Sequence, residues 1–195
     1  MPIYETMKTA DNISCYKSEK IDNLPAAEDL NPSARSIYFI ETSCKGDLNP
    51  RQACSVESVA RVHPNRTVYI LFLAPIAQKT FQKGPISNLK IFDNVEFARI
   101  HFWKFVEGTV LEGLVYDGYL NKSKWPVSHT SDVLRYLVLH KWGGTYLDLD
   151  VIVRKNLDSL GLNWASRENQ DAVASCVLSF STDAVGRSIA NATVQ

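Results

Sequence analysis

The stretch GGTYLDLD, Gly143 to Asp150, ends an apolar segment with two carboxylates in alternate positions. It reads as a buried strand, and successive strand side chains point to opposite faces. On that reading Asp148 and Asp150 share one face, while Leu147, Leu149 and Val151 occupy the other. Burying two ionised carboxylates without a partner costs several kcal/mol, so a cation or water must meet them. A divalent ion is an economical solution. Mg2+ and Mn2+ prefer oxygen ligands and keep positions for water and substrate phosphate.

Outward from this stretch the chain alternates between two periods. Immediately upstream, His129-Thr130-Ser131-Asp132 reads as a cap opening a helix that runs to Trp142, where Gly143-Gly144 ends it. Val133, Leu134, Leu137 and Val138 form its core stripe. Asp132 and Arg135, three apart, share the other face as an ion pair. Earlier, Ser36–Glu41 is a short β-type run, Asn49-Pro50 caps a helix stopped by His63-Pro64, and Thr67–Leu73 is apolar throughout, as a central strand is. Val95–Phe102 is a third strand and 111–116 a helical stretch. Ala172–Phe180 is a further strand with a helix starting near Ser181 or Thr182. Strands alternating with helices predict an α/β fold, a mostly parallel sheet covered on both faces. Ligands of such sheets bind outside the carboxyl ends of the strands, where the two aspartates fall.

Composition sets the limits. The chain has 195 residues, 45% of them hydrophobic, enough for one sizeable core and not for a second full domain. Residues 1–35 are mostly polar, lack periodicity and close on Asn31-Pro32-Ser33, which reads as a stem or linker, so the folded unit is expected at 36–195. The 21 basic residues balance 21 acidic ones, which argues against nucleic acid as a partner. The longest apolar stretch, Val68 to Ala77, is too short to span a bilayer and contains Pro75. No signal-peptide pattern opens the chain. The four cysteines lack zinc-ligand spacing but permit disulfides, and Cys44 with Cys54 is the pair considered for bridging the loop after the first strand. Glycosylation sequons at Asn12, Asn65, Asn121 and Asn191 hint at a secretory route. The scattered histidines and the four tryptophans read as packing or surface residues.

A bare DxD is a weak motif that arises by chance in a chain of this length. Its surroundings are more specific. SDVLRYLVLHKWGGTYLDLDVIVRKNL, Ser131 to Leu157, resembles the core signature of the DxD glycosyltransferases of family 32. IYFIETS (Ile37–Ser43) and ACSVESVARVHPNRTVYIL (Ala53–Leu71) resemble its 4-alpha-galactosyltransferase branch. The resemblance implies a GT-A (Rossmann-like) fold, Mn2+ with Mg2+ as the other candidate, and UDP-galactose or UDP-N-acetylgalactosamine as donor. It implies a glycolipid or glycan acceptor and alpha-1,4 transfer with retention. It also places residues. Asp132, Arg135 and Tyr146 would line the donor site, and Ile40, Glu41 and Thr42 would approach uridine. Asp150 would bind the metal directly, with Asp148 reaching it through water or holding the ribose. With no enzyme nucleophile in view, retention implies a front-face route in which the leaving phosphate takes the acceptor's proton. The family further implies a Golgi lumenal protein with an N-terminal membrane anchor and a C-terminal half beyond the matched region. Neither stands in these 195 residues. Two alternatives remain: a haloacid-dehalogenase-like phosphohydrolase, since DLDVI nearly fits that signature, and an inactive nucleotide-sugar-binding remnant.

Overall fold

The computed structural model describes residues 13–18 and 22–194. Its strands are β1 (Ile37–Glu41), β2 (Val68–Phe72), β3 (Val95–Arg99), β4 (Gly144–Leu147), β5 (Trp164–Arg167) and β6 (Val173–Phe180), in one sheet ordered β3-β2-β1-β4-β6-β5. β1 pairs in parallel with β2 and with β4, and β2 with β3. The β4–β6 and β6–β5 pairings are antiparallel. The parallel part follows the alternation of periods in the sequence. β5 does not, because four half-exposed residues, WASR, carry too little pattern to register.

Period-two alternation sorts the core into two layers. Ile37, Phe39, Val68, Ile70, Phe72 and Leu147 face one side, where α1 (Pro50–Val62) covers them with Val56, Val59 and Ala60. Two short helices, α2 (Gln78–Gln82) and α3 (Pro85–Leu89), follow β2, and α3 adds Ile86 and Leu89 to this layer. Tyr38, Ile40, Leu71 and Tyr146 face the other side. There the chain between β3 and β4 forms α4 (Phe102–Val106), α5 (Glu112–Tyr116), α6 (Tyr119–Lys122) and α7 (Pro126–Trp142), joined by α8 (Ala184–Val194). Thus β1 leads to β2 on one side and the β3-to-β4 crossover returns to its other side. The strand order reverses between β1 and β4, which opens a crevice at their carboxyl ends.

Several expectations need correction. The third strand stops at Arg99, because Phe102, Phe105 and Val106 bury themselves as α4. The helix before the acids begins at Pro126, not at His129–Asp132. Proline suits the first helical position, and Thr130 Oγ1 donates to the Pro126 carbonyl inside the first turns. β4 ends at Leu147, so Asp148 leaves the strand and Leu149-Asp150 form a turn, closed by the Val151 N–H on the Asp148 carbonyl at 3.0 Å. The Gly143-Gly144 link is obligatory. Both have positive φ, and a Cβ on Gly144 would lie 2.5 Å from the Ser36 carbonyl oxygen, on Gly143 2.8 Å from Thr182 Cγ2.

The segment read as linker is, in its described part, packed on the domain. Tyr16 and Ala27 are buried in the core layer of α4 to α8, Arg99 N–H donates to the Pro25 carbonyl, and Ala26 bridges to Arg99, covering the β3 edge. Its polar composition hid these anchors. The disulfide also differs: Cys44 pairs with Cys15, Cα to Cα 5.5 Å, and Cys54 is an exposed free thiol, because α1 turns Ala53, Val56, Val59 and Ala60 inward instead.

Candidate functional site

At the carboxyl ends of β1 and β4 lies an open cavity of about 480 Å³, walled by the end of β1 (Ile40, Thr42), the start of α1 (Asn49, Arg51, Gln52), α7 (Ser131, Asp132, Arg135) and the acidic turn (Tyr146, Asp148, Asp150). The start of α1 is held by a reciprocal cap: Asn49 Oδ1 accepts from the Arg51 and Gln52 N–H groups, and Gln52 Oε1 accepts from the Asn49 N–H.

Arg135 organises the acids. Only 6% exposed, it sits with Cζ 4.9 Å from the centre of the Tyr146 ring and donates through Nη1 to the Ser175 carbonyl and hydroxyl, both at 2.8 Å. Nη2 lies 3.1 Å from Asp132 Oδ1 and 3.4 Å from Asp148 Oδ1. The Tyr146 hydroxyl donates to the same Asp148 oxygen at 2.6 Å, and Ser131 Oγ lies 3.3 Å from that hydroxyl. Burial pushes the Tyr146 phenol well above its ordinary range, a shift reinforced by the Asp148 charge, so it acts as a fixed donor. Burial also raises the Asp148 carboxyl, with Asp150 and Asp132 adding to the rise against Tyr146 and Arg135. Asp150 is exposed at the tip of the turn and has no ion pair or side-chain hydrogen bond among the described residues.

Of the residues singled out in the sequence, Asp132, Arg135, Tyr146, Asp148, Asp150, Ile40 and Thr42 meet in this cavity. Glu41 does not. It lies on the opposite face of β1, 2% exposed, with Oε1 accepting from the N–H and hydroxyl of Ser43 and Oε2 unpartnered. Burial raises its carboxyl above the usual range. The sequence reading missed Ser131, Ser175, Arg51 and Gln52. Ser131 stood one residue before Asp132 and one turn before Arg135, a detectable spacing. Ser175 arrives through the antiparallel β6, which no local signal connects to α7. The acids do share the cavity, but a turn brings them together where strand alternation was expected to.

No group of three or more His, Cys, Asp or Glu side chains is assembled for a metal among the described residues. Two carboxylates opening on one cavity nonetheless fit a hard divalent ion, which usually takes one or two carboxylates and completes its shell with water and substrate phosphate.

Residues 49–167, more than half of the chain, match the family described as the glycosyltransferase sugar-binding region containing the DXD motif. The chain belongs to this family. The DXD of this glycosyltransferase region is Asp148-Leu149-Asp150. The region is 35% identical over 127 residues to lactosylceramide 4-alpha-galactosyltransferase of Mus musculus, covering 64% of this chain and 35% of the relative. It is 30% identical over 133 residues to alpha-1,4-N-acetylglucosaminyltransferase of Homo sapiens, covering 64% and 38%. The chain therefore spans about a third of the length of these curated relatives. Among solved structures it resembles PaToxG glycosyltransferase, with a TM-score of 0.54 at 17% identity over 84% of this chain and 61% of that one. That likeness is one of fold, and the fold is an α/β fold of GT-A type. Family membership removes the phosphohydrolase alternative. The acids also follow the fourth strand, whereas that signature closes the first strand of its domain.

Proposed function

We propose that this domain is the donor half of a retaining hexosyltransferase that moves galactose or N-acetylgalactosamine from a UDP-sugar to a glycan or glycolipid in alpha-1,4 linkage. The observation that carries the reading is the convergence of Asp132, Arg135, Tyr146, Asp148 and Asp150 on one cavity at the strand-order reversal. Three carboxylates, Asp132, Asp148 and Asp150, line the cavity against two guanidinium groups, Arg135 and the exposed Arg51; Arg135 is shared between Asp132 and Asp148, and Asp150 has no ion pair among the described residues, an excess of carboxylate that suits a cation. Mn2+, or Mg2+, held by Asp150 with Asp148 beside it would supply charge to the departing diphosphate when bound.

The chain's own residues prepare that chemistry. Arg135 and the Tyr146 O–H fix Asp148 in one rotamer before any ligand arrives, so little reorganisation remains at the moment of reaction. Asp132, about half exposed and steered by Arg135, is placed to take donor-sugar hydroxyls. Ile40 and Thr42 offer an apolar and a polar surface at the β1 side of the cavity, suited to a uridine. Breaking the anomeric bond places the electron pair on the β-phosphate oxygen, and the same leaving phosphate accepts the proton of the acceptor hydroxyl on that face. The acceptor side and the transfer itself are assigned to the whole protein.

The Cys15–Cys44 disulfide and the exposed sequon residues Asn65, Asn121 and Asn191 support a secretory, Golgi-lumenal setting. No described helix is long and apolar enough to cross a membrane. Calorimetric titration with UDP, UDP-galactose and UDP-N-acetylgalactosamine, with Mn2+ and with chelator, tests the donor reading. Mn2+-dependent binding of one UDP-sugar supports it, and no binding of any nucleotide under either condition refutes it. Binding without any transfer by the full-length protein would favour the inactive remnant.

A further inference from the structure

The described N-terminal residues, 13–18 and 22–30, form a strap whose contacts fall in two groups. One group fastens the strap to the body of the fold. Asp22 Oδ2 accepts from the Ile76 N–H at 3.0 Å and lies 3.3 Å from Arg99 Nη1, both side chains being nearly inaccessible. Glu28 Oε1 accepts from the His101 N–H at 2.8 Å, and Tyr16 packs edge-on against Phe102 at 5.3 Å. The other group reaches the donor cavity. Cys15 is bonded to Cys44, and the Tyr16 hydroxyl donates to the Thr42 carbonyl at 2.8 Å in a buried hydrogen bond.

Thr42, 7% exposed, is itself a wall of the cavity, and the exposed Asn49 at the far end of the same loop is another. Between them Cys44 holds φ +63, a left-handed conformation that side-chain-bearing residues adopt rarely and keep only where surroundings impose it. The cross-link and the tyrosine thus act on one short piece of backbone at the carboxyl end of β1. The cross-link and the Tyr16 hydroxyl are not all that keeps the strap on the protein, because the Asp22, Glu28 and Pro25 contacts and the Tyr16 ring on Phe102 hold it as well.

We infer that the Cys15–Cys44 bond and Tyr16 are positioning elements of the nucleotide cavity: they hold the Thr42 wall in its binding geometry, so nucleotide affinity depends on the oxidised strap. The inference rests on the proposed donor reading. Reduction by a dithiol reagent would open the bond to two thiols, one on each segment, while the reagent closes to its own cyclic disulfide. Of the strap's two described holds on the wall, the Tyr16 hydrogen bond then remains.

The test uses the full chain in a Cys54→Ser background, which removes the exposed thiol that would otherwise exchange. UDP affinity with Mn2+ is measured by calorimetry well below the thermal midpoint. Dithiothreitol is expected to weaken UDP binding by about threefold to tenfold and reoxidation to restore it, the scale of one lost positioning contact. Cys15→Ser with Cys44→Ser should start at the weaker affinity and ignore the reductant. Tyr16→Phe should weaken binding with the bond intact, and all forms should keep their Mn2+ requirement. Unchanged UDP affinity in both the reduced parent and Tyr16→Phe would overturn the inference while leaving the donor reading standing. Failure of the oxidised parent to bind any nucleotide would overturn both.

Discussion

The two ends of β1 and β4 each carry a buried arginine network, and the two networks are opposite in charge. At the carboxyl ends one arginine, Arg135, serves Asp132 and Asp148 beside a third carboxylate, Asp150. At the amino ends a second cavity of about 410 Å³ is lined by two arginines, Arg35 and Arg66, both paired with Asp158, and by Asp183, which pairs with neither. Arg66, 8% exposed, has a partner on each side-chain nitrogen: besides Nη1 on Asp158, Nε donates to the Arg35 carbonyl at 2.5 Å and Nη2 to Thr145 Oγ1 at 2.8 Å. Each network contains a buried guanidinium, a strand hydroxyl and a carboxylate. What separates a ligand site from a structural clamp is the balance left over. In the proposed reading the carboxylates at the crevice, three against Arg135 and Arg51, leave room for a cation, whereas each side-chain nitrogen of Arg66 has a partner and the network ties the loop around Leu157–Leu160 to the sheet.

Substitutions should break this symmetry in graded ways. Asp150→Asn removes an exposed carboxylate with no structural partner, so Mn2+-dependent UDP affinity should fall by about 100-fold or more with a thermal midpoint close to the parent's. Retained affinity in a calorimetric titration would remove Asp150 from the metal role. Arg135→Met leaves Asp148 and Asp132 without their cation. It should cost about 3 kcal/mol of stability by urea unfolding and abolish UDP-sugar binding. Arg66→Met should cost about 2 to 3 kcal/mol in the same assay yet leave UDP affinity within about twofold. Equal effects of the two arginine variants on binding would erase the distinction drawn between the two ends. Tyr146→Phe takes one hydrogen bond from Asp148 and should weaken Mn2+-UDP binding by about fivefold to tenfold, for about 1 kcal/mol of stability.

The smallest expected effect concerns Glu41. Its folded-state carboxyl is raised by burial, so the unfolded chain ionises first. The stability it contributes is complete below the ordinary glutamate range and is lost as pH rises through its raised folded value. Glu41→Gln should therefore be the more stable protein at neutral pH and should flatten the stability profile above the ordinary glutamate range. A midpoint series across pH that shows parallel curves for variant and parent would contradict this.

Much of the site was legible because its signals are local. Asp132 and Arg135 are three apart on one helix, Gly143-Gly144 punctuate, and Tyr146, Asp148 and Asp150 follow within a few residues. The cap at Asn49-Pro50 and the apolar period of β1, β2 and α1 are local in the same sense. Other features were not legible. Glu41, between Ile40 and Thr42 in a motif-like run, is an exception, since strand alternation already sends it to the face opposite both, as the sheet has it. The polar first 35 residues carry no periodicity, yet Asp22, Glu28 and Tyr16 find partners about 26 to 77 residues away.

The sequence alone determined the parallel strand-helix alternation, the acidic end of β4 and the Asp132–Arg135 pair, because helix and strand periods and short caps are properties of neighbouring residues. Tertiary structure decided the rest: that a turn turns both acids into one cavity, that Ser175 of an antiparallel strand anchors Arg135, and that Cys44 bonds Cys15 and not Cys54. Those outcomes depend on which distant surfaces bury each other, a condition that no local pattern encodes.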